Sequence, residues 1–200
     1  MISSLTPDSV VEHAHPGVAV EVRKAAMGDI APVLDLINAY AAQGIMLPRT
    51  EFEMSESISD FSVACVDGRP VGCGALHFYT PTMGEIRSLA VDAARKTHGI
   101  GRRLVEALVA EAIAYALDAV FAFTYVPEFF RKLGFHEVER GELPLKAWKD
   151  CLRCPKFQAC DEIAVLRILR PEHWQETHAW LLGQRLPADG SIQLPVVKLL

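Results

Sequence analysis

The sequence lacks the features that mark membrane, nucleic-acid-binding and secreted disulfide-rich proteins. It has no apolar run of about 20 residues that could span a bilayer, and no basic segment joined to an apolar run near its start. Its 20 lysines and arginines are outnumbered by 25 aspartates and glutamates, so it offers no broad positive field to nucleic acid or to an anionic membrane. Five cysteines in 200 residues do not suggest a disulfide framework. We therefore expect a cytoplasmic protein whose partner is a small molecule.

What is present fits one globular domain with short additions at both ends. Half of the residues are apolar and 22% are charged, which is enough to build a sizeable core. Residues 1–17 are polar, show no clear period and end in Pro-Gly, so we expect a loose leader. The domain itself is expected over residues 18–169. Residues 170–200, with helical apolar spacing around Trp174 and Trp180, are expected to form a small annex that packs on the domain or covers the interface of a homodimer.

Local patterns predict the order of the secondary structure. A strand begins near Val18, and Asp29 is expected to cap the helix that follows. Thr50 and Glu53 have capping-box spacing for a short second helix, and the Asp67-Gly68 pair indicates a β-hairpin. The strand GEIRSLAV then precedes a glycine turn, a long helix, the strand AVFAFTYV, a short helix and the strand FHEVE. This order predicts an α/β fold with an antiparallel front half and a β-α-β rear half.

The glycine turn, KTHGIG, and the helix RRLVEALVAEA that follows it carry the strongest functional signal. Glycines allow a tight backbone turn, and a helix that begins there directs free N–H groups and the positive end of its dipole at an anion. The pattern matches neither the P-loop nor the dinucleotide fingerprint, which would require a third glycine where Leu104 stands. The turn is therefore expected to bind phosphate, although glycines that only shape a strand-to-helix connection would give the same local pattern.

The strand GEIRSLAV, the turn KTHGIG, the long helix and the later FFRKLGF together resemble the GNAT acetyltransferase superfamily over about residues 18–140. The resemblance implies a mixed, mostly antiparallel sheet flanked by helices, with acetyl-CoA as the co-substrate. It also implies that strand main chain bonds the pantetheine arm and that N–H groups of the turn bind the pyrophosphate. Lys96 departs from the usual Gln or Arg but keeps a positive charge. The implied cofactor-binding residues are Leu89, Ala90, Val91, Lys96, His98, Gly99, Ile100, Gly101, Arg102 and Arg103.

Two further segments, AAQGIMLPR and PLKAWKDCLRCPKFQACDEIAV, resemble the short bacterial amino-acid N-acetyltransferases of the N-acetylglutamate synthase type. This resemblance implies L-glutamate as the acceptor and a role in arginine biosynthesis. Glutamate carries two carboxylates, which paired arginines bind better than lysines because each guanidinium makes a planar, two-bond contact. Arg49, Arg87 and Arg131 are the candidates for this role. Arg49 and Arg131 lie in segments that resemble substrate-binding parts of the synthases and are the expected pair, with Arg87 next in line. For any one of them, a surface position without a role remains the alternative.

Acetyl transfer to an amine needs a base for the ammonium and an acid for the departing thiolate. Glu85 lies at a position where the resemblance implies a base, acting directly or through water; an exposed strand carboxylate is the alternative. Many relatives have a tyrosine acid where this chain has Phe130. Tyr125, at the end of the strand that splays from its neighbour in this fold, is therefore the candidate acid, or else an aromatic residue that closes the core.

Three cysteines, Cys151, Cys154 and Cys160, form a C-x2-C-x5-C pattern. The first pair has the spacing of zinc ligands, but a structural zinc site normally has four protein ligands and one is missing. A histidine could complete the set; the candidates are His136, His173 and His178. We expect no metal, and interpret the three as a packed or redox-sensitive thiol cluster. Cys65 and Cys73, on the hairpin strands, are expected in the core.

The sequence thus predicts an acetyl-CoA-dependent N-acetyltransferase that acts on the α-amine of L-glutamate. A second hypothesis is acetylation of another small amine or of a protein N-terminus. A third is an acetyl-CoA-binding regulator without activity, which the phenylalanine at position 130 makes conceivable.

Overall fold

The computed structural model describes residues 19–143, 154, 156 and 159–174. The leader expected at residues 1–17, Cys151 and the annex beyond Trp174 lie outside the described residues, so the proposed division into domains stays a prediction.

Seven strands and four α-helices make up the described fold. The strands are β1 Val20–Lys24, β2 Phe61–Val66, β3 Arg69–Phe78, β4 Met83–Val91, β5 Ala119–Thr124, β6 His136–Glu137 and β7 Ile163–Ile168. The helices are α1 Ile30–Ala41, α2 Glu51–Ser57, α3 Ile100–Ala114 and α4 Pro127–Arg131. Among the described residues, no helix combines the length and the apolar character needed to cross a bilayer.

The strands form one open sheet in the order β1-β2-β3-β4-β5-β7-β6. Every neighbouring pair is antiparallel except β4 and β5, which are parallel and are connected through α3. The expected mixed, mostly antiparallel sheet flanked by helices is confirmed. Strand β7 was not among the predicted strands; it inserts between β5 and the two-residue β6, and so supplies the partner that β5 needs on that side.

Local signals account for most of the turns and caps. Asp67 and Gly68 both have positive φ, 50° and 74°, as a two-residue hairpin turn requires. The Thr50 hydroxyl accepts from the Glu53 N–H while the Glu53 carboxylate accepts from the Thr50 N–H, so the predicted capping box is confirmed. Asp29 precedes α1, but its carboxylate bonds Ala26 N–H and the Arg23 guanidinium instead of an N–H of α1. Asp29 thus occupies the N-cap position of α1, as expected, but its side chain makes no capping hydrogen bond to the helix.

Apolar residues cover both faces of the sheet. On the α3 face, residues of β3, β4 and β5 such as Leu76, Ile86 and Val120 pack against α3 and α4. The α1 face carries two separate clusters. One packs β2 and β3 against α1 and α2, around Phe61, and the other covers β5 and β7, around Phe121. The sheet surface between these two clusters holds the polar groups described below.

Candidate active site

A gap opens between β4 and β5. Their parallel pairing covers only Met83 to Glu85 of β4 and ends at the Glu85–Phe121 pair. Strand β4 nevertheless continues to Val91 and β5 to Thr124, where β5 pairs with β7 alone among the described strands. A strand edge of this kind offers N–H and C=O groups to an extended chain. The gap therefore suits a narrow, extended ligand lying along β4.

A β-bulge shapes the carboxyl-terminal half of β4. Arg87 is opposite Ala75 and Ala90 is opposite Cys73, so two residues of β4, Ser88 and Leu89, face a single residue of β3. Ser88 has φ of 53°, which is rare for a residue with a side chain. The extra residue puts Arg87 and Ala90 on the same face of the sheet and changes the direction of the strand where the gap begins.

The glycine turn follows β4 after a short 3-10 helix, Ala93–His98, which contains the first three residues of KTHGIG. Gly99 has φ of 70°, in the left-handed region, and α3 begins directly after it. The Arg103 N–H donates to Gly99 O at 3.1 Å, so the N–H groups of the three preceding residues have no acceptor within the helix. Together with the helix dipole, these N–H groups make the start of α3 suitable for an anion.

The second glycine is not required by the fold itself. An added Cβ at Gly101 would lie 3.4 Å from the Phe129 ring and 3.8 Å from the Val91 side chain, which are ordinary contacts, and its φ is not positive. The backbone conformation explains Gly99, whereas neither conformation nor packing explains Gly101. Close approach of a ligand to the start of α3 would explain it.

The cationic side chains of the turn contact neighbouring groups. Lys96 Nζ lies 4.9 Å from the centre of the Tyr40 ring. Arg102 pairs with Glu106 at 2.7 Å, and Arg103 donates to Val20 O at 3.2 Å. Their charges lie on or next to the turn, while the main-chain N–H groups of the helix start point along the helix axis. His98 is exposed, and its ring lies 3.3 Å from Arg95 O.

On the α1 face, a polar strip separates the two apolar clusters; it consists of His77, Glu85 and Arg87. Glu85 is only 8% exposed. Its carboxylate lies 4.0 Å from the Arg87 guanidinium, which keeps it beside a positive charge. The strip begins where the gap between β4 and β5 opens, so a group held in the gap can meet the Glu85 carboxylate.

Arg49 reaches this region from the loop between α1 and α2. Asn38 of α1 holds its backbone by two hydrogen bonds, accepting from Arg49 N–H at 3.0 Å and donating to Arg49 O at 3.1 Å. The side chain donates to the Ser88 hydroxyl at 3.2 Å and lies over the Phe61 ring. The structure therefore brings Arg49 to the bulge of β4, next to Arg87.

Arg131 lies elsewhere. It is on α4, which packs on the α3 face through Phe130, and its side chain is 54% exposed. The guanidinium pairs with Glu128 at 2.6 Å and with Glu137 of β6 at 2.7 Å. Strand β6 is three positions beyond β4 in the sheet, roughly 14 Å at the usual strand spacing. The structure thus does not bring Arg131 together with Arg49 and Arg87.

Tyr125 follows β5, across the gap from β4, and its hydroxyl is held by Asp161 and Lys156. Its hydroxyl donates to Asp161 at 3.0 Å and accepts from Lys156 at 3.2 Å. Burial raises the pKa of the Tyr125 phenol, so the group keeps its proton at neutral pH, as an acid must. Phe130, at the position of the usual tyrosine, is buried in the core against Phe135.

The structure adds one feature that the sequence reasoning missed. Asp60, in the short 3-10 turn before β2, contacts the His77 ring with 2.7 Å between Oδ2 and Nδ1. His77 is also the cross-strand partner of Glu85. A histidine within the apolar strand PVGCGALHFY was the only signal that could have indicated this pair.

The cysteines divide into two kinds. Cys65 and Cys73 are buried in the core, as expected. Cys154 and Cys160 are partly exposed free thiols, and Arg140 donates to Cys160 Sγ at 3.1 Å. Within the described residues, no group of three His, Cys, Asp or Glu side chains could hold a metal, but Cys151 lies outside them.

Comparison with known proteins gives these features a context. Residues 35–135 match the model of the acetyltransferase (GNAT) family. An uncharacterized N-acetyltransferase of Chlorobaculum tepidum is 41% identical over 154 residues, 77% of this chain and 99% of that protein. An amino-acid acetyltransferase of Mycobacterium tuberculosis is 39% identical, over 66% of this chain and 77% of that protein. The Neisseria gonorrhoeae N-acetylglutamate synthase, solved with coenzyme A and N-acetyl-glutamate, is 30% identical with a TM-score of 0.70, over 76% of this chain and 35% of that one.

Proposed function

The chain belongs to the GNAT acetyltransferase family and is an acetyl-CoA-dependent acyltransferase, and we propose that its acceptor is the α-amine of L-glutamate. The observation that carries this proposal is the polar strip, where the buried Glu85 carboxylate lies at the start of the gap beside Arg87, while Arg49 reaches the Ser88 bulge of the same strand. Relatives named amino-acid acetyltransferase support the acceptor class. The corresponding role is the acetylation of glutamate for arginine biosynthesis in the cytoplasm.

Acetyl-CoA fits the gap between β4 and β5. The pyrophosphate would accept hydrogen bonds from the main chain of the turn between His98 and Arg103, where helix geometry leaves N–H groups free. The pantetheine arm would lie along Leu89, Ala90 and Val91, beyond the point where β5 stops pairing with β4. The thioester then points toward Glu85. Lys96, Arg102 and Arg103 add positive charge around the phosphates.

The reaction needs a base for the ammonium and an acid for the departing sulfur. Glu85 takes a proton from the acceptor ammonium, directly or through water, and the neutral nitrogen attacks the thioester carbonyl carbon. The tetrahedral intermediate collapses as the carbon–sulfur bond breaks, and Tyr125 gives its phenolic proton to the departing sulfur. The nitrogen loses its second proton as the amide forms, and this proton, passed through water, restores the phenol of Tyr125. The products are the N-acetylated amino acid and CoA. Lys156 and Asp161, which hold the Tyr125 hydroxyl, orient this acid.

The two carboxylates of glutamate would be bound by Arg49 and Arg87. Both guanidiniums are partly buried, one at the Ser88 bulge and one beside Glu85, and charge-assisted bonds strengthen where water is excluded. The sequence suggested Arg131 as the partner of Arg49. Arg131, however, is paired with Glu128 and Glu137 and lies on the α3 face, so Arg87 is the better partner for Arg49.

An amino-acid panel tests the proposed acceptor. Each amine is incubated with acetyl-CoA and the purified protein, and CoA release is measured with a thiol reagent, with the enzyme's own cysteines subtracted in a blank without acceptor. Turnover highest with glutamate supports the proposal. A clear preference for an amine without a side-chain carboxylate, or for a peptide N-terminus, contradicts it. Binding of CoA without turnover of any amine would favour a regulator.

A further inference from the structure

A proton taken by Glu85 has to leave it before the next turnover. Glu85 is 8% exposed, and its two neighbours across the sheet are Phe121 on β5 and His77 on β3. Phe121 is fully buried and cannot carry a proton. Direct release to solvent is hindered by the burial of the carboxylate, so the route through His77 is the one the sheet offers.

His77 is suitably placed to receive that proton. Antiparallel cross-strand partners have Cβ atoms about 5 Å apart, on the same face of the sheet. The imidazole is therefore within reach of the Glu85 carboxylate, directly or through one water molecule. Its side chain is 27% exposed, against 11% for that of Glu85. The ring thus lies between the buried carboxylate and the solvent.

Asp60 prepares the ring for this transfer. An ionised carboxylate accepts a hydrogen bond, so the 2.7 Å contact means that Nδ1 carries the hydrogen and Nε2 has the free lone pair. A carboxylate at Nδ1 also stabilises the imidazolium that forms when Nε2 takes a proton. The other groups around His77 are Tyr79, whose ring packs edge-on at 5.0 Å, and Glu85 with its partner Arg87 on β4.

We propose that the Asp60–His77 pair is a proton relay that returns Glu85 to its carboxylate form after each acetyl transfer. The proposal rests on the role of Glu85 as the base. The proton of the acceptor ammonium passes to Glu85, then from Glu85 to Nε2 of His77, and finally from the imidazolium to bulk water. His77 is neutral again at the end, so no net charge accumulates over the cycle.

Buffer rescue tests the relay. His77→Ala removes the proton carrier and leaves space at the ring, so turnover should fall at least about tenfold with little change in KM for either substrate. Added imidazole, titrated at constant ionic strength, should then restore turnover in a saturable way. The assay uses whichever acceptor the wild-type protein turns over best. A preference other than glutamate would contradict the proposed substrate and still leave the relay testable.

Three further variants make the result specific. Glu85→Gln removes the base itself and should not respond to imidazole, and the exposed His136→Ala is the control for general effects of losing a histidine. Asp60→Asn keeps a hydrogen-bond acceptor for Nδ1 but loses the charge, so turnover should fall although the fold is retained. If His77 only tethers Asp60 to the sheet, Asp60→Asn will be fully active and imidazole will not rescue His77→Ala. Either result would overturn the proposal.

Discussion

Replacement of Arg49 by alanine is the most direct test of the acceptor site. The backbone of Arg49 is held by two hydrogen bonds to Asn38, so the substitution deletes the guanidinium without releasing the loop. Loss of a charge-assisted hydrogen bond to substrate costs about 1.5 to 3 kcal/mol. At about 1.4 kcal/mol per factor of ten, KM for glutamate should rise roughly 10- to 150-fold, while KM for acetyl-CoA stays nearly unchanged.

The cost in stability can be estimated separately. Arg49→Ala also loses the bond to Ser88 and the contact with the Phe61 ring. Each contributes about 1 kcal/mol or less, so Tm should fall by roughly 2 to 8 °C and the protein should remain folded at assay temperature. Arg49→Lys should recover only part of the loss in KM, because an ammonium keeps the charge but not the planar two-bond geometry.

The assay follows CoA release at saturating acetyl-CoA while glutamate is varied. Arg69→Ala, an exposed arginine just after the β2–β3 turn, is the matched control and should behave as the wild type. Glutamine, which lacks the side-chain charge, is the second acceptor and shows which carboxylate Arg49 binds. If Arg49→Ala raises KM more for glutamate than for glutamine, Arg49 binds the side-chain carboxylate. If Arg49→Ala binds glutamate within twofold of the wild type, the clamp does not include Arg49. A strong effect of Arg131→Ala would instead support the pairing suggested by the sequence.

The remaining predictions concern the cofactor turn, the acid, the buried thiols and the acid stability of the fold. Gly101→Val should weaken acetyl-CoA binding in calorimetry, because its side chain occupies the approach to the helix start; unchanged affinity in a folded variant would remove the turn from the site. Tyr125→Phe should lower kcat far more than acetyl-CoA affinity, and equal turnover would reject it as the acid. Burial raises the pKa of the Cys73 thiol to about 12, so Cys73 should resist alkylation in the native protein, while the partly exposed Cys160 is labelled. Mass spectrometry of the peptides measures both, and labelling of Cys73 in the native protein would contradict its burial. The hydrogen bond from Arg23 lowers the pKa of the Asp29 carboxyl, so ionised Asp29 stabilises the fold above its unfolded pKa of about 3.9, and this contribution is lost as pH falls through the lower folded pKa. The difference in Tm between wild type and Asp29→Asn should therefore be full at pH 6 and shrink below about pH 4. A difference in Tm that stays constant over this range would contradict the ionised Asp29 as its origin.

Elements whose signals lie within a few residues of each other could be predicted from the sequence. The capping box of α2, the Asp67-Gly68 hairpin and the left-handed Gly99 all follow from backbone chemistry that acts locally. The α/β order and the glycine turn were predicted for the same reason. Strand β7 was missed because a short apolar segment does not reveal its partner, and its place between β5 and β6 depends on the whole sheet.

The polar strip and the residues that contact it could not be predicted from local signals. His77 and Asp60 are 17 residues apart, and Arg49 and Ser88 are 39 apart, so no local pattern predicts that they meet. The bulge at Ser88 depends on the register between β3 and β4, and it decides which side chains of β4 share a face. The fold class, the glycine turn and the residue types that the chemistry needs could all be predicted from local sequence patterns. Which arginine lies beside Glu85 and which reaches the Ser88 bulge could not be predicted in this way, because both depend on strand order and register, which are properties of the assembled sheet.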